Sequence, residues 1–245
     1  MPEDLLNNIA LLIDADNTSP AGIDPVLTVL AELGQVNIRR AYGNWAKSNL
    51  SRWSEITNQY GIRPQQQFDL TKGKNATDMA MTIDAIDLLY QGKVDGFGIM
   101  SSDSDFTPLA TRLRQDGLIV YGFGSADRTS DAFKTACTRF IDIDALIAGD
   151  AEETSATGKA QGRQKAPSTP AISDDLVDLL GKSWKAARRD DDGYANLSEV
   201  GQIAGNRSSF DVRNHGFKRL IDLIRAIDRF DVVMRSGQPF VKRLR

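Results

Sequence analysis

The 245-residue sequence holds one cysteine, Cys137, and one histidine, His215. That scarcity excludes whole classes of chemistry. No disulfide framework can form, which fits a reducing compartment. No zinc site of the usual Cys/His kind can be assembled. Cleavage of RNA by a histidine pair is ruled out, and a catalytic triad would have to recruit His215 across a polar stretch of chain. No apolar run approaches the roughly 18–20 residues that span a bilayer. The first residues, MPEDLLNN, are acidic and polar, unlike a signal peptide. The expected address is therefore cytoplasmic, with no membrane partner. What remains for hydrolysis is a set of carboxylates around a hard cation such as Mg2+ or Mn2+.

Hydrophobic residues make up 41% of the chain, enough for a globular core, and the net charge is -3. The charge is unevenly spread. Residues 1–150 carry 13 Lys and Arg against 20 Asp and Glu, a net of -7, whereas residues 173–245 carry 14 against 11, a net of +3. Such asymmetry suggests two modules with different partners.

Over residues 1–150 apolar runs alternate with helical patterns. The runs NIALLID, VNIRRAYG, IRPQQQFDL, GFGIMSS, LIVYGFG and RFIDI read as strands. IRPQQQFDL is a weaker strand, since Pro64 suits only an edge strand or an early position in one. Helices are expected over 20–33, 45–60, 76–90, 106–116 and 129–137. This alternation implies an α/β fold with a parallel sheet covered on both faces. Residues 151–172, rich in Ala, Gly, Ser, Thr, Gln and Pro, read as a flexible linker. The region 173–245 reads as three helices and a wing. The helices are 174–188, a short one in NLSEVGQIA, and 213–230 with Phe217, Leu220, Ile221, Ile224 and Ile227 at core spacing. The wing is a hairpin, FDVVMRS then GQ then PFVKRLR. The whole is winged-helix-like.

Five carboxylates stand just past strand ends or at the opening of a helix. Asp14 and Asp16 lie in IDADNT, Asp78 opens the helical run ATDMAMTIDAIDLL, and Asp103 and Asp105 lie in MSSDSDF. In an open α/β sheet those places converge on one crevice, and carboxylates gathered there repel one another unless a cation sits between them. Asp14, Asp78, Asp103 and Asp105 are the candidate metal ligands, with Asn17 in support. Asp16 and Asn17 also suit a turn, and Thr18 a cap. A serine cap with Asp105 on the helix dipole would explain one acid of SSDSDF, but not two. Asp84 falls about 240° around the helix from Asp78 and suits pairing or capping instead. Lys72 and Lys74 are candidates for substrate phosphates or for a solvated loop.

In this order, IDADN, KGKNATDMAMTIDAIDLL, IMSSDSDFTPLATRLRQDGLIVYGFG and ACTRFIDID resemble the NYN domain, in its LabA-like branch, of the wider PIN-like nucleases. The resemblance spans residue 8 to about 147. It implies a PIN-like, three-layer parallel-sheet domain, an acidic pocket for Mg2+ or Mn2+, and ribonuclease activity. It carries catalytic or metal roles onto Asp14, Asp78, Asp103 and Asp105 and a supporting polar role onto Asn17. The region from about 173 resembles the OST-HTH, or LOTUS, domain. That implies binding to RNA, single-stranded in this reading, or to a protein partner. Lys218, Arg225 and Arg229 would then fall on one flank of the third helix, within about 40°, while Arg235, Lys242, Arg243 and Arg245 load the wing. Such charge suits phosphates.

The expected function is metal-dependent hydrolysis of RNA, with a C-terminal binding module. Two rivals stand beside it. One is an RNA-tethered regulator without turnover. The other is a haloacid-dehalogenase-like phosphatase, because DADNT fits DxDxT with Asp14 as nucleophile, although Asp78 is then left without a role. The sequence leaves an oligomer open.

Overall fold

A computed structural model describes residues 6–68, 75–148, 172–208 and 210–244. The chain divides into two compact units at Asp150 and Ala151. The linker expected over 151–172 lies outside the described residues, except for Ile172, which packs against the second core.

The first unit is a six-stranded sheet flanked by helices. In chain order it comprises β1 (Leu6–Asp14), α1 (Ile23–Leu33), β2 (Gly34–Gly43), α2 (Ser51–Gln59), β3 (Arg63–Gln66), α3 (Ala76–Gln91), β4 (Gly96–Met100), α4 (Thr107–Gln115), β5 (Ile119–Gly124), α5 (Asp131–Ala136) and β6 (Arg139–Asp142). All neighbours pair in parallel, in the order β3-β2-β1-β4-β5-β6. Each strand expected from the sequence is present, and the β3 strand with Pro64 is an edge.

Alternation along β1 shows why this architecture forms. Ala10 and Leu12 join one buried cluster with Met81, Leu88, Phe97, Leu109 and Phe133, from α3, β4, α4 and α5. Ile9, Leu11 and Ile13 join another with Val26, Leu30 and Trp53, from α1 and α2. Successive strand side chains point to opposite faces. A run that is apolar at every position therefore needs a layer on each side, which gives three layers.

The connections fix where a ligand can bind. From β1 the chain moves one way, to β2 and β3, and then crosses back to β4 on the other side of β1. The carboxyl ends of β1 and β4 thus flank the point where strand order reverses, which is where open α/β sheets form their crevice. Asp14 ends β1 and continues the Ala10, Leu12 face, the face that α3 covers.

The second unit holds α6 (Asp174–Ala186), β7 (Ala195–Asn196), α7 (Leu197–Arg207), α8 (Leu220–Arg225), β8 (Phe230–Arg235) and β9 (Gln238–Arg243), with a sheet ordered β7-β9-β8. Its core includes Leu176, Leu180, Val200, Leu223, Ile224 and Val241. Ser173 caps α6 by accepting from the Leu176 amide at 3.3 Å.

Two expectations fail here. The helix expected over 213–230 is only the six residues of α8, preceded by a 3-10 turn, Val212–His215. Gly216 takes φ 74° and Arg219 is extended, with ψ 144°, so the helical path is broken twice between them. The apolar spacing that suggested one long helix is satisfied by residues reaching the core from a turn, a loop and a short helix. The wing turn is also displaced by one residue. Ser236 and Gly237 occupy it, with φ 49° and 80°, the handedness that two-residue hairpin turns favour, and Gln238 already belongs to β9.

Candidate metal centre

Asp14 is fully buried at the end of β1. Its Oδ2 accepts from Asn17 Nδ2 at 3.0 Å and from Ser101 Oγ at 2.8 Å. Its Oδ1 is buried with no hydrogen-bond partner. Burial pushes the Asp14 carboxyl above its ordinary pKa, with the hydrogen bonds from Asn17 and Ser101 working against that rise. A buried carboxylate oxygen left unpaired is costly. A cation would remove that cost.

Ser101, itself fully buried just beyond β4, joins the two strand ends. Its hydroxyl donates to Asp14 and accepts from the Asp103 amide at 3.0 Å. Asp14 and Asp103 are therefore two hydrogen bonds apart through one side chain. Asp103 Oδ1 in turn accepts from the Asp105 amide at 2.9 Å, so Asp103 itself caps the 3-10 turn that leads into α4. The serine cap considered for SSDSDF is thus supplied by an aspartate.

Asp78 stands in the first turn of α3, and Asn75, at the start of that helix, donates to Asp105 Oδ2 at 2.6 Å. One carboxylate oxygen from each of Asp78, Asp103 and Asp105 lies within 4.8 Å of the others. That grouping does not include Asp14, but Asp14 is close enough for its charge to act on Asp78. The Asp78 carboxyl is pushed up to about 6, first by burial and then by the charges of Asp14, Asp103, Asp105 and Asp16. Among the described residues, no lysine or arginine pairs with Asp14, Asp78, Asp103 or Asp105. All their donor atoms are hard oxygens, as Mg2+ and Mn2+ prefer. Orphaned Asp14 Oδ1, the three converging carboxylates and the raised Asp78 all fit a divalent cation.

Asp16 and Asp84 have structural work instead. Asp16 Oδ2 accepts from the Asn44 amide at 3.3 Å and Thr77 Oγ1 at 3.0 Å, with Lys47 Nζ 3.7 Å from its other oxygen. It ties the β1 and β2 loops to the start of α3, and so helps set Asp78. Asp84 pairs with Arg40 and accepts from the Tyr42 hydroxyl, as its angle on the helix predicts. Asp16 Oδ1, like Asp14 Oδ1, is buried with no hydrogen-bond partner, and the phosphatase reading, which makes Asp16 its second acid, still leaves Asp78 without a role.

Ser101, Asn75 and Thr77 were not singled out from the sequence. The only available signal was position, one just past a strand end and two flanking the first residue of α3. Lys72 and Lys74 lie outside the described residues, as does Arg245. His215 is half-buried and stacks on Phe210 at 5.8 Å, and burial lowers its pKa. Cys137 is buried, its thiol pushed up to about 12, so it is a packing residue.

The basic flank expected on the third helix does not form. Of Lys218, Arg225 and Arg229, only Arg225 is in α8. Lys218 precedes that helix, and Arg229 follows it and pairs with Asp174 at 3.4 Å. Arg235 binds Asp190 and lies against the rings of Tyr194 and Phe240. Lys242 sits 5.5 Å from the Tyr194 ring, and Arg243 pairs with Asp178 at 3.5 Å.

A six-stranded parallel sheet with an acidic cleft at its switch point defines a PIN-like α/β domain. Residues 8–144 match the NYN domain, and residues 167–241 match the OST-HTH/LOTUS domain. The chain belongs to the NYN domain family, part of the PIN-like nuclease superfamily, and carries behind it an OST-HTH/LOTUS domain. Both resemblances read from the motifs hold, in the order read. The second match begins within the stretch expected as linker. An uncharacterized protein of Methanocaldococcus jannaschii is 27% identical over 141 residues, 56% of this chain and 55% of that protein, so the match spans about half of that relative's length. A crystal structure of a Vibrio parahaemolyticus protein of unknown function aligns with a TM-score of 0.49 and 21% identity, over 60% of this chain and 98% of that one. Among the described residues no helix is long and apolar enough to cross a membrane.

Proposed function

We propose that the protein is a ribonuclease that hydrolyses single-stranded RNA with the help of Mg2+ or Mn2+ in the first unit, and holds its substrate with the second. The observation that carries this reading is the convergence of Asp78, Asp103 and Asp105 within 4.8 Å, with buried, half-unpaired Asp14 joined to them through Ser101.

Asp14, Asp78 and Asp103 would hold the cation, and Asp105 would complete the site. A bound divalent cation supplies Lewis-acid stabilisation of phosphate charge and lowers the pKa of an attacking water. The chain's own residues do the positioning. Asn17 and Ser101 hold Asp14 through its Oδ2 and leave its Oδ1 unpaired. Asn75 steadies Asp105, and the Asp105 amide steadies Asp103. Thr77, through Asp16, sets the first turn of α3 and hence Asp78. Without a cation the acidic pocket repels a polyanion, so a tethered module that binds RNA raises its concentration at the pocket.

The Asp103→Asn protein should bind a short single-stranded RNA as the parent does, and cleave it far more slowly in Mn2+ buffer. Equal cleavage by the two proteins would reject the assignment.

A further inference from the structure

We propose that the second unit takes one nucleotide of single-stranded RNA in a cleft between the carboxyl half of α6 and the end of β9. The proposal rests on the reading above of this unit as the substrate holder. The cleft has a volume of about 560 Å3 and is lined by Gly181, Trp184, Lys185, Arg229, Arg243 and Leu244. Gly181, Trp184 and Lys185 share one helix face, at positions i, i+3 and i+4. Arg243 follows Val241 on the side of β9 that faces the core, since alternate strand residues share a face. Arg229 is held beside it, because its carbonyl accepts from the Leu244 amide at 2.8 Å.

Gly181 ties the site together. Glycine is a poor residue for a helix interior, yet a Cβ at this position would lie 2.1 Å from Arg243 Nη1 and 2.6 Å from its guanidinium carbon. The missing side chain lets the guanidinium lie against the helix and into the cleft. Among the described residues the two arginines pair only with exposed carboxylates, Arg229 with Asp174 at 3.4 Å and Arg243 with Asp178 at 3.5 Å. Such pairs are weak and readily exchanged for phosphate. Lys185 is exposed, with no ion pair among the described residues. Trp184 adds what a purely anionic ligand would not need. Its indole N–H donates to the Gly193 carbonyl at 3.2 Å, the Arg189 guanidinium lies over the ring at 4.9 Å and the ring packs partly against the core, so a fixed aromatic side chain lines the cleft together with Lys185, Arg229 and Arg243. A ring beside guanidinium groups suits an unstacked base with its phosphate, the form single strands offer.

The test is the anisotropy of a labelled twelve-nucleotide oligouridylate titrated with the full chain in EDTA. Lys185→Ala, Arg229→Ala and Gly181→Ala should each weaken binding about 3- to 10-fold, with Gly181→Ala unfolding at or above the parent's temperature. Asp174→Asn and Asp178→Asn should tighten it about 2- to 3-fold by freeing the arginines, and Asp131→Asn, in α5 of the first unit, should leave it unchanged. If the three cleft variants bind within twofold of the parent, or the parent binds no RNA, the proposal falls. It falls equally if an oligoglutamate peptide binds more tightly than RNA and loses affinity in the same variants, for the occupant is then an acidic protein segment. Loss of RNA binding in the cleft variants of a parent that never cleaves RNA supports the cleft and sinks only the nuclease reading.

Discussion

The two units handle charge in opposite ways. In the first, Asp14, Asp78, Asp103 and Asp105 are drawn into one cleft with no cation from the described residues against them, and burial raises two of them, Asp14 and Asp78. In the second, almost every arginine near a binding surface already has a carboxylate partner: Arg229 with Asp174, Arg235 with Asp190, Arg243 with Asp178. The acids of the first unit are arranged at a cost that only a ligand of opposite charge relieves. The cations of the second are neutralised locally and exchange partners at little cost. On the proposed reading, the first unit would take a divalent ion and the second a polyanion.

The comparison breaks most sharply on removing the metal. Chelation should lower RNA cleavage at least about 100-fold while leaving RNA affinity within twofold. A parallel loss of cleavage and binding would mean that the two units do not divide the work. Next in size is Ser101→Ala. It removes one hydrogen bond to buried Asp14 and leaves the Asp103 amide without its acceptor, so it should lower stability by about 1–3 kcal/mol in a denaturant titration. A neutral result would show that the two strand ends are not coupled through this hydroxyl.

The pH dependence is smaller and has a definite sign. Asp78 titrates near 6 in the folded chain, against 3.8 ordinarily. The folded state then binds the proton more tightly than the unfolded one. The cation-free protein should lose stability as pH rises from about 4 to 6 and stay at the lower value above that. Asp78→Asn should flatten this and, after discounting for solvent screening, stabilise the chelated protein at pH 7.5 by about 1 kcal/mol. Thermal unfolding of both proteins across that window checks it, and identical pH profiles would contradict it. Smallest in its effect on function is Gly216→Ala in the second unit. Because Gly216 has φ 74°, it should cost about 1–2 kcal/mol of stability with no effect on cleavage at saturating RNA.

The same contrast explains what the sequence could tell. Every position from Ile9 to Asp14 is buried between two helical layers, so the apolar run announces a central parallel strand. The topology then puts Asp14 and Asp103 at one crevice without further information. Asp78 joins them, since the helix it opens covers the face on which Asp14 lies. Ser101 was hidden because a serine just beyond a strand carries no pattern, and only the approach of β1 to β4 gives its hydroxyl two partners. In the second unit the third helix is only the six residues of α8, and periodicity there counts for less. Phe217, Leu220, Ile224 and Ile227 fit one helix on paper, but Gly216 and Arg219 adopt backbone conformations that end it. The basic flank inferred from that helix went with it. Trp184, Lys185 and Gly181 come from a helix that was expected, yet their meeting with Arg229 and Arg243 depends on how the hairpin packs, which no local pattern records.

The most direct measurement is a calorimetric titration of Mn2+ into the chelator-stripped full chain and its Asp103→Asn variant. Saturable binding to the parent is expected, strengthening as pH rises through about 6, as Asp78 gives up its proton, and at least about tenfold weaker in the variant. Absence of binding to the parent, or equal affinity in the two proteins, would contradict it.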